Sequence, residues 1–365
     1  MARGVLAILG SGETAPGMTK VHRGLLARHE PVRAVNLDSS YGFQLNVPQM
    51  SEKLEEYFKV SLQIDLTTLH LANFHQSSEL ERTLFKQRAR QANYVFAGPG
   101  SPSYALNQWS PLNLGEDLLH VLDEDGTLCI ASAAALTLGA FTAPVYEIYK
   151  VGVEPYWLPG LNILANYGLN CVVIPHFDNN EGGNYDTRYC YLGQPRLEGL
   201  EQQLPEGVST LGIDEHTALI FDFANDTLSV EGKSNGYWRQ GNESRILENG
   251  STTSIDELRT TKVVPRVVLT SEIDLGLDMD PSELGRVILE GGPSSLSAVA
   301  QLVQLAERGG EGFIDPSSLI EGLLAARRSA RDAGLYDLAD QLRDVLLNAR
   351  IEVNDAVDGT TWSLH

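Results

Sequence analysis

Short apolar runs alternate with amphipathic segments through residues 1–230, and this alternation limits the chain to a small set of folds. Segments 50–59, 78–92 and 115–123 have the period of surface helices. This alternation predicts an α/β domain whose mostly parallel sheet is covered by helices on both faces. Functional side chains are then expected at the carboxyl ends of the strands. Seven apolar runs predict the strands, at residues 5–9, 32–37, 64–71, 94–97, 128–130, 171–174 and 219–223.

The pattern changes after residue 230. Polar turns separate short β-like pieces, helical periodicity returns at 282–308, and a glycine-rich linker follows at 309–312. The remaining residues have the pattern of two helices and a short tail. We therefore predict three parts: the α/β domain at 1–230, a β-hairpin and helical extension at 231–308, and a small C-terminal helical hairpin domain at 311–365.

The net charge of −21 argues against a nucleic-acid-binding surface, because contact with phosphates normally needs a basic patch. No segment has the length of about 18 consecutive apolar residues that a membrane span requires. The three cysteines are odd in number, which argues against a disulfide framework. Five histidines in the first 120 residues have no metal-site spacing. We therefore expect a cytoplasmic protein with no metal, no organic cofactor and no nucleic-acid or membrane partner.

Ser132 lies where a buried strand, 126–131, runs directly into the small-residue helix start at 133–139. This sharp turn is how α/β hydrolases expose a serine hydroxyl at the carboxyl edge of a sheet. The Ala133 N–H then points at the same space and supplies half of an oxyanion hole. The alternative interpretation is that Ser132 is a helix N-cap.

Two further segments provide the partners that such a serine needs. The strand 172–175 delivers His176 just past its carboxyl end, and Glu215 directly precedes another strand. A serine needs an adjacent base, and the base needs an acceptor that fixes its tautomer. The Gly-rich turn 97–102 adds a second oxyanion donor, the Gly100 N–H. The alternatives are a satisfied buried histidine and a glutamate that caps a turn.

These residues resemble the serine peptidases that include dipeptidase E (aspartyl dipeptidase) and cyanophycinase, within the class I glutamine amidotransferase-like fold. The resemblance covers roughly residues 1–230. Its motifs are Ser132-Ala-Ala-Ala135 for Ser-Ala-Gly-Ala, Gly98-Pro-Gly100 for a Gly-Gly-Gly-type turn, Ile174-Pro-His176-Phe177 for Asn-Pro-His-Phe/Tyr, and Gly212-Ile-Asp-Glu215-His-Thr-Ala218 for Gly-Ile-Asp-Glu-x-Thr-Ala.

The resemblance implies that Ser132 is the nucleophile, His176 the general base and Glu215 the carboxylate that orients it. Glu147 matches a family position where an acid also matters, and it ranks second to Glu215. The resemblance also implies a small peptide or amide substrate, with aspartyl compounds favoured. Arg188 and Arg196 in the following loop are candidates to hold a substrate carboxylate; the alternative is that both are solvated.

Two observations favour other functions. Ala134 stands where the family has glycine, so the alternative to an enzyme is a binding or scaffold protein that keeps the fold. Gly10-Ser-Gly12-Glu-Thr-Ala15 fits the G-x-G-x-x-A dinucleotide-binding pattern after the first strand. Pro16-Gly17 follows at once and delays the helix that this pattern requires, so we prefer a tight loop at the sheet edge near the active site.

The C-terminal residues 318–365 resemble the carboxyl end of cysteinyl-tRNA synthetases, where two helices precede an Asp-x-x-x-Gly-Thr-x-Trp tail. That resemblance implies contact with tRNA. Residues 311–365 nevertheless hold ten acids and five arginines, the reverse of an RNA-binding surface. We expect the hairpin to serve packing or homodimer formation, and tRNA association is the third alternative.

Overall fold

The computed structural model describes residues 4–241, 243–259, 351–356 and 359–364, with backbone alone for the last two ranges. Two compact units divide the chain, Met1–Arg266 and Val267–His365. The strands of the first unit are β1 Val5–Leu9, β2 Ala34–Leu37, β3 Leu66–Leu69, β4 Tyr94–Ala97, β5 Thr127–Ala131, β6 Phe141–Thr142, β7 Leu158–Pro159, β8 Cys171–Ile174, β9 Ser209–Ile213, β10 Thr217–Asp222, β11 Thr227–Gly232, β12 Gly236–Gln240, β13 Glu243–Leu247 and β14 Thr252–Ser254.

The α-helices of the first unit correspond to the predicted amphipathic segments and to four further stretches. Short 3-10 or π turns occur between them, at Pro16–Met18, Asp38–Tyr41, Phe58–Leu62, Glu147–Val151, Leu164–Tyr167 and Ile255–Glu257. The helices are α1 Thr19–Leu26, α2 Val47–Tyr57, α3 Glu79–Gln91, α4 Pro102–Trp109, α5 Leu114–Asp123, α6 Ser132–Leu136 and α7 Gln194–Glu201.

The large sheet has the strand order β14-β11-β10-β1-β5-β4-β2-β3. The five strands from β1 to β3 in this order are parallel, and β10, β11 and β14 add an antiparallel edge. The predicted class is therefore confirmed: a mixed α/β fold with a large, mostly parallel sheet flanked by helices. Within it, β5 lies between β1 and β4, so the loops after these three strands meet at one edge.

Helices cover the large sheet on both faces because its central strands β1, β5 and β4 are buried at every position. In β1, Leu6 and Ile8 belong to one core cluster, which also contains side chains of α3 and α5. Val5, Ala7 and Leu9 belong to a second cluster with side chains of α1. Successive residues of a strand point to opposite faces, so a continuous apolar run predicts a strand that is buried on both sides.

A second sheet has the order β13-β12-β9-β8. Val173 and Leu211 belong to the larger core cluster, which this sheet shares with the first, and Ile174 belongs to a third cluster. β8 and β9 are parallel neighbours, with Ile174 opposite Gly212. The segments that follow β8 and β9 therefore leave the sheet at the same edge. The run 171–174, predicted as a strand of one central sheet, belongs to this second sheet instead.

The predicted end of the α/β domain at residue 230 falls inside β11, which pairs with β10 along its whole length. The first compact unit accordingly extends to Arg266 and includes β12 to β14. Of the second unit, the structure describes an antiparallel hairpin, β15 Ile351–Ala356 and β16 Gly359–Leu364, with Val353 opposite Trp362. The helices predicted at 282–308 and within 311–349 lie outside the described residues.

In the part of the chain that the structure describes, no helix combines the length and the apolar character that crossing a membrane requires. The same residues contain no cluster of three or more His, Cys, Asp or Glu side chains suited to a metal ion. All three cysteines are buried free thiols.

Candidate active site

Ser132 follows β5 directly and has a backbone φ of +52°, a left-handed conformation that is uncommon outside glycine. The turn is sharp because β5 ends at Ala131 and α6 begins at once. The hydroxyl is partly exposed at the carboxyl edge of the large sheet, between the loops that follow β1 and β4. This is the strand-to-helix turn predicted from the sequence.

His176 lies two residues past β8 and brings the second sheet to the serine. Its Nε2 is 2.8 Å from Ser132 Oγ. Its backbone is also left-handed, with a φ of +49°, and its N–H donates to the Gly10 carbonyl at 3.3 Å. The loop after β1 in the large sheet therefore supports the residue that the second sheet contributes.

Glu215, just past β9, completes a chain of hydrogen bonds. Its Oε1 is 2.8 Å from His176 Nδ1 and also accepts from Asn179 Nδ2 at 3.1 Å. The Glu215 N–H donates to Asp178 Oδ1 at 2.7 Å. The hydrogen bond from His176 lowers the pKa of Glu215 below its ordinary value. The Glu215 carboxylate can only accept a hydrogen bond, so His176 carries its proton on Nδ1. Its Nε2 is then unprotonated and can accept the Ser132 proton.

The loop between β4 and α4 lies beside Ser132 and is held in place by its backbone. The Ala134 N–H donates to the Gly98 carbonyl at 3.3 Å, and the Ser101 N–H donates to the Ser40 carbonyl at 2.9 Å. Gly100 has a φ of +142°, and a Cβ there would lie 1.9 Å from Ser40 O. Only glycine fits this position. The Gly100 N–H lies in this loop and the Ala133 N–H lies at the start of α6, and the Ala134–Gly98 hydrogen bond holds these two backbone segments together.

Glu147 does not pair with His176, whose partner is Glu215. It lies in the π-helical turn Glu147–Val151, where its Oε1 accepts from Ser103 Oγ at 2.5 Å. Its Oε2 is buried without a hydrogen-bond partner. Glu147 also lines a cavity of about 680 Å³ that extends to Gly100, together with Tyr104 and Lys150. The structure thus places Glu147 beside Ser103, at the start of α4, and in the lining of the cavity that reaches Gly100.

The two arginines predicted to hold a substrate carboxylate have partners within the protein. Arg188 forms two hydrogen bonds with Asp186, Nε to Oδ1 and Nη2 to Oδ2, each of 2.8 Å. Its guanidinium also lies 5.1 Å from the centre of the Tyr189 ring. Arg196 donates from Nη1 to the Leu192 carbonyl at 3.3 Å. These contacts do not favour the predicted role of either arginine.

The glycines of the Gly10–Ala15 motif are surrounded by protein. A Cβ on Gly10 would lie 2.0 Å from Asp214 O, and a Cβ on Gly12 would lie 2.1 Å from His216 Nδ1. The α-helix after β1 begins only at Thr19, after a 3-10 turn. The glycines therefore allow the segment after β9 to approach, and the space that a pyrophosphate would need beside them is filled.

Sequence reasoning did not identify three residues around Ser132, His176 and Glu215. Asn179 and Asp178 hold the side chain and the backbone of Glu215. Glu13, within the Gly10–Ala15 motif, places its carboxylate near Gly98. The signal available for Glu13 was its position in the loop that follows β1, the strand next to the one that carries Ser132.

No family model matches this chain, and no curated protein sequence matches it. Among solved structures, it is similar to the crystal structure of a peptidase from an acI-B1 Actinobacterium, with a TM-score of 0.55 and 18% sequence identity over 69% of this chain and 97% of that chain. The chain is similar in fold to that peptidase. A candidate peptidase E protein from Listeria monocytogenes EGD-e has a TM-score of 0.42 and 11% identity, over 67% of this chain and 98% of that chain.

Proposed function

We propose that this protein is a serine hydrolase that cleaves an amide or peptide bond of a small substrate. The observation that carries the proposal is the unbroken chain from Ser132 Oγ through both His176 nitrogens to Glu215 Oε1, with two contacts of 2.8 Å. A serine whose base is oriented by a carboxylate is the arrangement used for acyl transfer on several unrelated folds. The similarity in fold to a known peptidase supports the same conclusion.

In the proposed mechanism, Ser132 Oγ attacks the substrate carbonyl carbon while its proton passes to His176 Nε2. The protonated imidazole, stabilised by Glu215, then gives that proton to the leaving amine as the C–N bond breaks. A water molecule then attacks the acyl carbon while its proton passes to His176 Nε2; the imidazolium gives that proton to Ser132 Oγ as the acyl C–Oγ bond breaks, and the acid product leaves. The N–H groups of Gly100 and Ala133 are the proposed donors to the oxyanion.

The sequence resemblance also implies aspartyl substrates, for which a positively charged side chain would be needed. Because Arg188 is paired with Asp186, the described loop gives this finer proposal little support. The bond type is therefore proposed without an aspartyl requirement.

The direct test is hydrolysis of a panel of dipeptides and aminoacyl anilides by the wild type and by single variants. Ser132→Ala and His176→Ala are each expected to lower kcat by about 10³-fold or more, since triad members act as a unit. Ser244→Ala, at an exposed position on β13, is the matched control and should retain wild-type rates. A folded wild type that hydrolyses nothing in the panel would instead support a binding or scaffold protein.

A further inference from the structure

The Glu13 side chain reaches from the loop after β1 towards the loop after β4. Glu13 belongs to the loop after β1, and its Oε1 lies 3.8 Å from the position that a Cβ on Gly98, after β4, would occupy. β1 and β4 are the two neighbours of β5, whose end carries Ser132. Neighbouring strands are about 4.8 Å apart, so a carboxylate that reaches from one flanking loop to the other lies beside the serine.

Electrostatic effects place Glu13 in the same region. Burial raises the pKa of Glu13; a hydrogen bond from its own backbone N–H opposes that rise, and so do the nearby His176 and His216 rings. Burial also raises the pKa of Cys129, on β5, to about 12, and the Glu13 charge adds to the increase. Glu13 is thus close both to the proposed general base and to the strand that carries the proposed nucleophile.

The carboxylate of Glu13 lacks a cationic partner within the described residues, where no ion pair involves it. Its backbone carbonyl is bonded to His22 Nε2 at 2.7 Å, which holds the loop but leaves the side chain without a counter-charge. A desolvated carboxylate without a counter-charge is unfavourable, so this position favours a ligand that brings positive charge.

The other charges near the triad are of both signs. Glu215 and Asp178 are acids of the triad region, and the Arg188 guanidinium is neutralised by Asp186. Lys150, which is exposed and lines the cavity that extends to Gly100, is a cation in the same area, so the preference for a substrate cation rests on Glu13 itself. Complementary charge at a binding site is a source of specificity.

We propose that Glu13 binds a cationic nitrogen of the substrate, an ammonium group held beside the carbonyl that Ser132 attacks. This inference rests on the proposed hydrolase function and names its substrate class. The ammonium has two possible sources: the α-amino group of the residue whose carbonyl is attacked, or the side chain of a basic residue. Glu13 is then a specificity-determining residue, and the acyl-transfer steps themselves do not require it.

Four p-nitroanilides, assayed at pH 7, separate these sources. Alanine p-nitroanilide and its N-acetyl derivative differ in the α-ammonium, and N-acetyl-lysine and N-acetyl-norleucine p-nitroanilides differ in the side-chain ammonium. In the wild type, kcat/KM for at least one cationic substrate should exceed that of its neutral partner by about tenfold or more. The pair that differs identifies the source.

Glu13→Gln should remove this preference: kcat/KM for the cationic substrate should fall about tenfold more than kcat/KM for its neutral partner, since only the cationic substrate loses the charge that binds it. Glu124→Gln is the matched control, because Glu124 is exposed and precedes β5 at the opposite edge of the sheet. It should leave every ratio unchanged. If Glu13→Gln does not fold, Glu13→Asp replaces it and should weaken only the cationic substrates.

A wild-type ratio near one, or an equal effect of the Glu13 variants on neutral and cationic substrates, overturns the inference. An uncharged fluorophosphonate distinguishes that failure from failure of the hydrolase proposal. If the probe labels wild-type Ser132 while no cation preference exists, only the role of Glu13 is wrong. If the folded wild type is neither labelled nor active, the hydrolase proposal is wrong, and the role of Glu13 is wrong with it.

Discussion

At the scale of single residues, the proposed centre combines uncommon backbone conformations with a continuous hydrogen-bond chain. Ser132 and His176 both have positive φ values, which cost on the order of 1 kcal/mol or more for residues other than glycine. Surrounding contacts hold the histidine in place: its N–H bonds to Gly10, and its carbonyl accepts from Cys190 N–H at 3.1 Å. Strain of this kind is typical of positions where function fixes the side-chain direction.

The Glu215–His176 contact makes a pH-dependent contribution to stability. Because the folded-state pKa of Glu215 is lowered, the contribution is complete above the ordinary value of 4.5 and is lost as the pH falls through the folded-state value. Glu215→Gln should lower the free energy of unfolding by about 1–2 kcal/mol at pH 7, and this deficit should be smaller at pH 3, below the ordinary value of 4.5. Urea unfolding at both pH values measures this, and an equal deficit at both contradicts it.

Ala134 is fully buried, and the backbone hydrogen bond of the turn forms with its methyl group in place. Its N–H bonds to the Gly98 carbonyl, and its side chain belongs to the larger core cluster. Ala134→Gly should lower the free energy of unfolding by about 1–2 kcal/mol, from a lost buried methyl and lower helix propensity. Hydrolysis should change less than threefold. A large gain in activity would indicate that the alanine had impaired the site.

At the scale of elements, the proposed triad joins three strand ends from two sheets. The strand ends were predictable, because an apolar run that stops at a polar residue marks the sheet edge, as at Ser132 and His176. The pairing of β8 with β9 in a separate sheet was not, because it joins segments 38 residues apart (Cys171 with Ser209) and depends on tertiary contacts. Glu13 was missed for a related reason: its reach to Gly98 depends on how the loops pack.

The Gly100 loop offers a test of the proposed oxyanion donors. Gly100→Ala would place a methyl group 1.9 Å from Ser40 O, so the loop has to shift and its N–H groups move with it. We expect kcat to fall about 10²–10³-fold, the usual effect of losing one donor. Steady-state kinetics on any substrate of the panel measures it.

Gly24→Ala is the matched control for this substitution. Gly24 lies in α1, and a Cβ there meets nothing within 4 Å. Activity should stay within twofold of wild type, with stability equal or up to about 1 kcal/mol higher. If Gly100→Ala were as active as this control, the loop would have no part in catalysis.

At the scale of the whole molecule, every residue of the proposed site lies in the first compact unit. The site runs from Glu13 to Glu215, and that unit extends to Arg266. The C-terminal resemblance to cysteinyl-tRNA synthetases, the homodimer and the cytoplasmic location remain predictions from the sequence. The acidic balance of residues 311–365 continues to argue against tRNA contact.

This division predicts that a chain ending at Arg266 retains the activity. Its kcat/KM should lie within about twofold of that of the full chain, because the unit holds its own core and the complete proposed site. The comparison uses matched concentrations of both proteins and circular dichroism to verify folding. A folded but inactive fragment would show that the C-terminal unit contributes to the site.

The most direct measurement is mass-spectrometric mapping of a fluorophosphonate adduct on the full chain. We predict a single adduct on Ser132, abolished by Ser132→Ala and slowed by about 10³-fold in His176→Ala. The Ser244→Ala control should react like the wild type. An adduct on another serine, or no adduct on the folded protein, would contradict the assignment of Ser132 as an activated nucleophile.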